Sequence, residues 1–243
     1  MIPSAELHQH RREVQLTLER ADAAIALSAN QGFPVALAMG TLLRGWALAA
    51  QGQGEEGIIQ IRRGITTLQT VRTEVQGPFC FALLAEAYGK VGQIEEGLTA
   101  LDEALTMVNK NGEHWWEAEL YRLKGELSLQ SEVRSPKSRE EKQKSKGKGQ
   151  KSKVPNTQPL TPSTQTEMER EAEECFRKAI AIARQQQAKS LELRAVMSLS
   201  RLWQQQGKPK DAHLMLSEIY GWFTEGFDTK DLQEAKALLK DLS

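Results

Sequence analysis

Residues 79–108 read FCFALLAEAYGKVGQIEEGLTALDEALTMV, and their pattern predicts two helices joined by a tight turn. Apolar residues fall three and four positions apart on either side of Gly92, which interrupts the spacing. Small residues stand where the two helices would cross, at Ala85, Gly97 and Ala104, so that the backbones can approach closely. Because neither helix can bury its apolar stripe alone, this unit predicts neighbours like itself.

The rest of the chain repeats this unit at a spacing of 40 residues. The shared small positions are Gly45, Ala85 and Gly125 in first helices, and Gly57 and Gly97 in second helices. Two later second helices keep the same spacing between Ala172 and Ala212. Forty residues after Gly97, the next small residue is predicted at position 137, but the matching residue is Ala172, 35 residues later. This displaced spacing indicates an insertion of about the same length.

The insertion is SEVRSPKSREEKQKSKGKGQKSKVPNTQPLTPSTQ, residues 131–165. It has no aromatic residue and few large apolar ones, so it cannot bury enough surface to offset the entropy of ordering. We predict three parts: residues 1–130 and 167–243 belong to one repeat array with a closing helix, and residues 131–166 are a disordered Lys/Ser/Pro-rich insertion. Residues 131–165 contain nine Lys/Arg and three Asp/Glu, so a basic insertion interrupts an acidic array.

Taken in order, the chain begins with one predicted long helix over residues 4–30 that caps the array. Four helix pairs follow: 35–51 with 55–75, the opening unit, 115–129 with 167–187, and 190–206 with 210–223. A last helix over residues 230–242 closes the array, and the Asp228 side chain is predicted to cap its first turn.

The opening unit resembles a tetratricopeptide repeat, whose pattern has an aromatic residue, a Leu-Gly pair, a Tyr and then Ala-x3-Phe. The matching residues are Phe81, Leu84, Ala85 and Tyr88, then Gly97 and Leu101; in the third pair they are Ala172 and Phe176. The period is 40 rather than 34 and the closing proline is absent, so the helices should be longer than average. The resemblance implies an all-α, right-handed superhelical solenoid of about four helix pairs plus capping helices, with one long disordered insertion.

Several strings, among them TLLRGWALAAQGQ, FALLAEAYGKVGQIEEGL and WWEAELYRLKGEL, also resemble the C-terminal repeat region of bacterial multidomain nucleotide-cyclase/ATPase (STAND-type) signalling proteins. This resemblance covers nearly all residues outside the insertion. The catalytic and nucleotide-binding parts of those proteins have no counterpart here, so their enzymatic activity does not carry over.

The sequence contains few candidates for catalytic, nucleotide-binding or metal-binding residues. It contains no phosphate-binding loop, its His8 and His10 fall on different faces of a helix, and no Cys/His cluster has metal-ligand spacing. We predict no catalytic residue, no cofactor, no metal and no enzymatic activity. No apolar run reaches the roughly 18–20 residues of a membrane span, and no signal peptide is recognisable, which indicates a cytoplasmic protein.

The predicted functional surface is the concave face of the superhelix, which tetratricopeptide arrays line with their first helices. The resemblance assigns to it positions around each small crossing residue: Leu42, Trp46, Glu86, Arg122, Glu126, Met197, Arg201 and Gln204. The charges among them could read the charges of an extended or helical segment. We predict a non-catalytic protein–protein interaction module that binds a partner peptide or domain in this groove, in signalling or regulation.

Two alternatives remain open on the sequence alone. The chain could be a detached regulatory arm, or split-gene remnant, that docks on a separately encoded cyclase or ATPase module. It could also tether nucleic acid or a membrane through the Lys-rich tract at residues 142–153. That tract has no interleaved aromatic residue and no amphipathic pattern, which favours a solvated linker.

Overall fold

The structure is a computed structural model, and it describes residues 2–71, 76–134 and 162–243. Every regular element within these ranges is helical, which confirms the all-α prediction. In chain order the α-helices are α1 (Ile2–His10), α2 (Val14–Gln31), α3 (Pro34–Ala50), α4 (Gly54–Thr70), α5 (Gly77–Val91), α6 (Ile94–Asn111), α7 (Glu117–Arg134), α8 (Pro162–Gln185), α9 (Lys189–Gln205), α10 (Pro209–Tyr220) and α11 (Lys230–Asp241). A short 3-10 helix, His114–Trp116, leads into α7.

The four predicted pairs form, because α3 packs on α4, α5 on α6, α7 on α8, and α9 on α10. The first pair shows why small residues recur at the crossing. A Cβ atom on Gly45 would lie 2.6 Å from the carbonyl oxygen of Gly57, and one on Gly57 would lie 2.6 Å from the carbonyl oxygen of Gly45. The two backbones therefore touch at this point, and apolar side chains such as Leu42 and Ile61 are fully buried beside it.

Most of the predicted disordered insertion lies outside the described residues. On either side of it, helices extend beyond the predicted bounds, because α7 continues to Arg134 and α8 already begins at Pro162. The pairing of α7 with α8 shows that the insertion interrupts the turn of the third pair, where a long loop leaves the stacking of the helices unchanged.

The prediction of a single helix over residues 4–30 is wrong, because the helix is interrupted between α1 and α2. Arg12 has a φ of 59°, and it stands 40 residues before Gly52, which has a φ of 90° at the turn of the next pair. The small crossing residues also extend upstream on this period, because Ala5 and Thr17 are fully buried 40 residues before Gly45 and Gly57. Helices α1 and α2 are therefore an additional, shortened pair. An arginine in the left-handed region costs about 1–2 kcal/mol, so an arginine at this position does not predict the end of a helix.

The two ends of the array meet. Arg11 Nη2 donates to Asp228 Oδ2 at 3.0 Å, and Arg12 Nη1 donates to Asp231 Oδ1 and Glu234 Oε2, both at 3.0 Å. The predicted cap of the last helix is consequently wrong, because Thr229 is the N-cap of α11 and no side chain caps it. The Asp228 carboxylate instead accepts a hydrogen bond from Arg11. The contacts of Arg11 and Arg12 with residues of and next to α11 enclose the concave side of the array.

Candidate binding cavity on the concave face

Helices α1, α3, α5, α7, α9 and α11 enclose a cavity of about 230 Å³ on the concave side, which we call the concave cavity. Six of the eight predicted groove residues line it: Trp46, Glu86, Arg122, Glu126, Met197 and Arg201. The other two do not. Leu42 is fully buried in the core, and Gln204 is exposed and donates from Nε2 to the carbonyl oxygen of Asp241.

The floor of the cavity is an ion-pair network on α7 in which Glu119 is buried and Arg122 and Glu126 are partly buried. Arg122 donates to both carboxylate oxygens of Glu119, at 2.8 and 2.7 Å, and its Nη1 lies 2.5 Å from Glu126 Oε1. These residues share a face of the helix because they are three and four positions apart. Burial alone would raise the pKa of Glu119, but the charges of Arg122 and Arg194 outweigh it and lower this pKa to about 2. Glu119 is therefore ionised at neutral pH.

The remaining walls hold further paired polar groups. Trp46 Nε1 donates to Glu86 Oε2 at 2.8 Å, and these residues occupy equivalent places on α3 and α5, 40 positions apart. Glu86 also lies 3.7 Å from the ammonium group of Lys90. Ser198 on α9 donates to Glu126 at 2.9 Å. The cavity thus combines the aromatic surface of Trp46 with charges that are already compensated within the protein.

The wall opposite α3 comes from the C-terminal part of the chain. Arg194 Nε donates to Asp231 Oδ2 at 2.7 Å, and its Nη2 donates to the backbone carbonyl of His10 at the end of α1. Arg201 Nη2 lies 3.6 Å from Glu234 Oε2. The carboxylates of α11 are therefore shared between arginines of α9 and the first turn of the chain.

Several residues lining the cavity were absent from the sequence prediction: Gln9, Arg12, Trp116, Glu119, Arg194 and Glu234. The period held a signal for one of them, because Gln9 stands 40 residues before Ala49, four positions after a crossing residue. Helical spacing held a signal for two more, because Glu119 and Arg194 precede the predicted groove residues Arg122 and Met197 by three positions.

Arg12 and Glu234 enter the cavity because the ends of the array meet, and this long-range contact leaves no trace in the 40-residue spacing.

Two deeply buried polar atoms at the cavity have no hydrogen-bond partner among the described residues. They are Gln9 Oε1, an acceptor, and Trp116 Nε1, a donor. Gln9 is only 4% exposed and Trp116 only 6%. Because a buried polar group without a partner costs about 1–3 kcal/mol, a ligand that supplied one donor and one acceptor here would gain affinity.

His10 packs in an aromatic cluster at the edge of the cavity. Its ring centroid lies 5.5 Å from that of Phe79, 6.3 Å from that of Trp115 and 5.0 Å from that of Trp116. Burial, reinforced by the charge of Arg194, lowers the pKa of His10 from 6.5 to about 4, although Glu119 acts in the opposite direction. The imidazole is therefore neutral at neutral pH.

This shift predicts an acid-sensitive contribution to stability. The folded state disfavours the protonated imidazole of His10. Its contribution to the free energy of unfolding is therefore complete above pH 6.5 and is lost as the pH falls towards 4. We expect a loss of roughly 2–3 kcal/mol over this interval, as a shift of one pKa unit corresponds to about 1.4 kcal/mol. Urea unfolding at several pH values, compared with His10→Phe, measures it. The variant should lack this part of the pH dependence, and His213→Phe on α10 is the control that should retain it.

Other reactive groups are few. Burial raises the pKa of the Cys80 thiol to about 12, so this cysteine stays protonated. Across residues 2–71, 76–134 and 162–243, His, Cys, Asp and Glu form no group of three or more that could hold a metal ion. Within the same ranges no helix has both the length and the apolar character to cross a membrane.

Comparison with known proteins agrees with the repeat architecture. No protein-family model and no curated protein matches the sequence. Among solved structures, the chain is similar to the nearly identical TPR-like repeats of a Podosopora anserina protein described as a kinesin light chain, in a form with one glutamine replaced by methionine. The TM-score is 0.52, with 16% identity over 90% of this chain and 91% of that one. The structure of the same repeats without that replacement gives a TM-score of 0.51 and 16% identity, over 90% and 92% of the two chains. At this identity the likeness shows the fold: the chain is a TPR-like helical repeat.

Proposed function

We propose that this chain is a non-catalytic protein-interaction module that binds an extended segment of a partner protein in the concave cavity. The observation that carries this proposal is the unpartnered pair, Gln9 Oε1 and Trp116 Nε1, in a cavity lined by first helices of a TPR-like array. Each residue of a peptide offers one backbone donor and one backbone acceptor, which are the two groups that this pair lacks.

The unpartnered polar atoms favour an extended segment over a helix. An extended backbone leaves its N–H and C=O groups free to pair with them, whereas a helix pairs these groups internally. Selectivity would come from the partly exposed charges of Glu86, Lys90 and Arg201.

The protonation states of the cavity support a role without catalysis. A general acid or base works best when its pKa lies near the working pH. The pKa of Glu119 lies at about 2 and that of His10 at about 4, so neither group is suited to exchange protons near neutrality. Within this proposal the protein works in signalling or regulation in the cytoplasm, and a separately encoded cyclase or ATPase module is one class of partner. The alternative tether at residues 142–153 lies outside the described residues.

Selection from a displayed library of random peptides, followed by fluorescence anisotropy of the enriched sequence, tests the proposal. We call this sequence the selected peptide. Trp116→Phe keeps an aromatic ring but removes the donor, and should weaken binding about tenfold, the equivalent of about 1.4 kcal/mol. Trp203→Phe is the matched control, because Trp203 Nε1 is also buried without a partner among the described residues but does not line the cavity.

The control should bind the selected peptide within about twofold of the wild-type chain, since Trp203 does not line the cavity. Failure of the library to converge on any sequence would contradict the proposal. Equal losses in Trp116→Phe and Trp203→Phe would place the binding site elsewhere on the array.

A further inference from the structure

The segment that closes the array lies against an acidic surface of the last helix. We call Arg11, Arg12 and Glu13 the N-terminal turn. Its two arginines reach Asp228, Asp231 and Glu234 across at least 217 residues of sequence. Arg12 Nη1 bridges two of these carboxylates, Asp231 and Glu234, at 3.0 Å each.

The carboxylates that these arginines reach are in local excess. They are Asp228, Asp231 and Glu234. From the rest of the described chain, Arg194 pairs with Asp231 and Arg201 pairs with Glu234. Three acidic groups against two cationic ones leave an excess of one negative charge. The N-terminal turn neutralises it, because Arg11, Arg12 and Glu13 together carry a net charge of +1.

The N-terminal turn is unevenly anchored. The Asp228 carboxylate that holds Arg11 is 76% exposed, and ion pairs of this kind contribute about 0–1 kcal/mol. Arg12 is held in the left-handed region at a further cost, but it pairs with Asp231, which is buried, and with Glu234. The packing of His10 and its hydrogen bond from Arg194 hold the end of α1. A competing segment would therefore displace the two arginine side chains and leave α1 in place.

We propose that the carboxylates of α11 form a subsite for an arginine-bearing segment of the partner, and that Arg11 and Arg12 occupy it within the free chain. This inference rests on the proposed function, because it describes the partner of the same cavity. The partner is a protein segment with two neighbouring arginines, which replace the side chains of Arg11 and Arg12. Gln9 and Trp116, which carry the unpartnered Oε1 and Nε1, line the same cavity as Glu234 of the subsite.

The test uses full-length protein and a fluorescein-labelled peptide that copies residues 4–14, SAELHQHRREV. A second probe carries glutamine in place of both arginines. The Arg11→Ala/Arg12→Ala variant vacates the subsite and should bind the arginine peptide at least tenfold more tightly than the wild-type chain does. The apparent affinity of a site rises with the fraction of molecules in which it is open. The glutamine probe should bind the variant at least tenfold more weakly than the arginine probe.

Two further variants make the result specific. Arg62→Ala/Arg63→Ala removes an exposed pair of neighbouring arginines on α4, and should leave the affinity of the wild-type chain unchanged. Adding Glu234→Gln to the Arg11→Ala/Arg12→Ala variant should reverse most of the gain in affinity. Circular dichroism and thermal melting establish that each variant is folded.

Equal affinities of the wild-type chain and the Arg11→Ala/Arg12→Ala variant for the arginine peptide would overturn the inference, as would equal binding of the two probes. A wild-type dimer in size-exclusion chromatography that the variant converts to a monomer would also overturn it, by assigning the arginines to a second copy of the chain. If the selected peptide still binds and responds to Trp116→Phe while the arginine probe does not bind, this inference fails and the proposed function stands.

Discussion

Replacing Glu119 by glutamine should lower the free energy of unfolding by about 3 kcal/mol at neutral pH, because breaking a buried ion pair leaves an uncompensated charge. The new amide oxygen could still accept one of the two hydrogen bonds of 2.7 and 2.8 Å from Arg122, but the amide nitrogen cannot accept the other and the negative charge is lost. The remaining pair of Arg122 with Glu126 keeps the loss at the lower end of the usual range. Urea unfolding followed by circular dichroism measures the change.

The same variant should alter the acid limb of stability. The pKa of Glu119 is depressed from 4.5 to about 2 in the folded chain, so its contribution is present above pH 4.5 and is lost as the pH falls towards 2. Glu119→Gln should lack this loss. Glu173→Gln on α8 is the control, because it breaks an exposed pair with Arg177 and should change stability by less than about 1 kcal/mol. Similar effects of the two substitutions would show that Glu119 is not buried as described.

The second large effect is expected at the crossing of α3 and α4. Gly45→Ala places a methyl group 2.6 Å from the carbonyl oxygen of Gly57, and a backbone oxygen can move only if the helices separate. We expect a net destabilisation of about 2 kcal/mol from overpacking, even though alanine is the better helix former by about 1 kcal/mol. Thermal and urea unfolding of the variant give the measured value.

Gly97→Ala, at the equivalent crossing of the next pair, provides the matched control. Its new methyl group would meet the end of the Leu127 side chain at 2.8 Å, whereas the nearest backbone atom, the carbonyl oxygen of Ala85, is 3.4 Å away. A leucine side chain can rotate, so the stability should remain within about 1 kcal/mol of the wild-type value. Equal destabilisation by the two substitutions would contradict the difference between the two crossings.

The repeat architecture was predictable because its determinants are local and periodic. Small residues at Gly45 and Gly57 imply a close crossing, and their recurrence after 40 residues predicts the four complete pairs and locates the insertion. The same period placed Trp46 and Glu86 on equivalent positions of adjacent first helices, where the structure joins them by a hydrogen bond.

The remainder depends on contacts that periodicity cannot encode. The break between α1 and α2 places Arg12 in the left-handed region, and the sequence does not signal this conformation. In the fold, the side chain of the same residue pairs with Asp231 and Glu234. Because the ends meet, Arg12 and Glu234, which have no predicted groove position in the repeat, become part of the cavity wall. The repeat pattern assigns Leu42 to the groove. In the structure, Leu42 Cγ lies 2.6 Å from where a Cβ atom on Gly64 would stand, so this close crossing holds Leu42 in the core.

Photo-crosslinking tests most directly whether the concave cavity is the binding site. The selected peptide, carrying a benzophenone side chain at its central position, would be irradiated with the full-length chain and the crosslinked residues identified by mass spectrometry. Binding in the cavity predicts crosslinks to its lining residues, with Trp46 and Met197 among them, and competition by unlabelled peptide. Crosslinks concentrated on α4 and α6, the second helices of their pairs, would contradict the assignment of the cavity as the site.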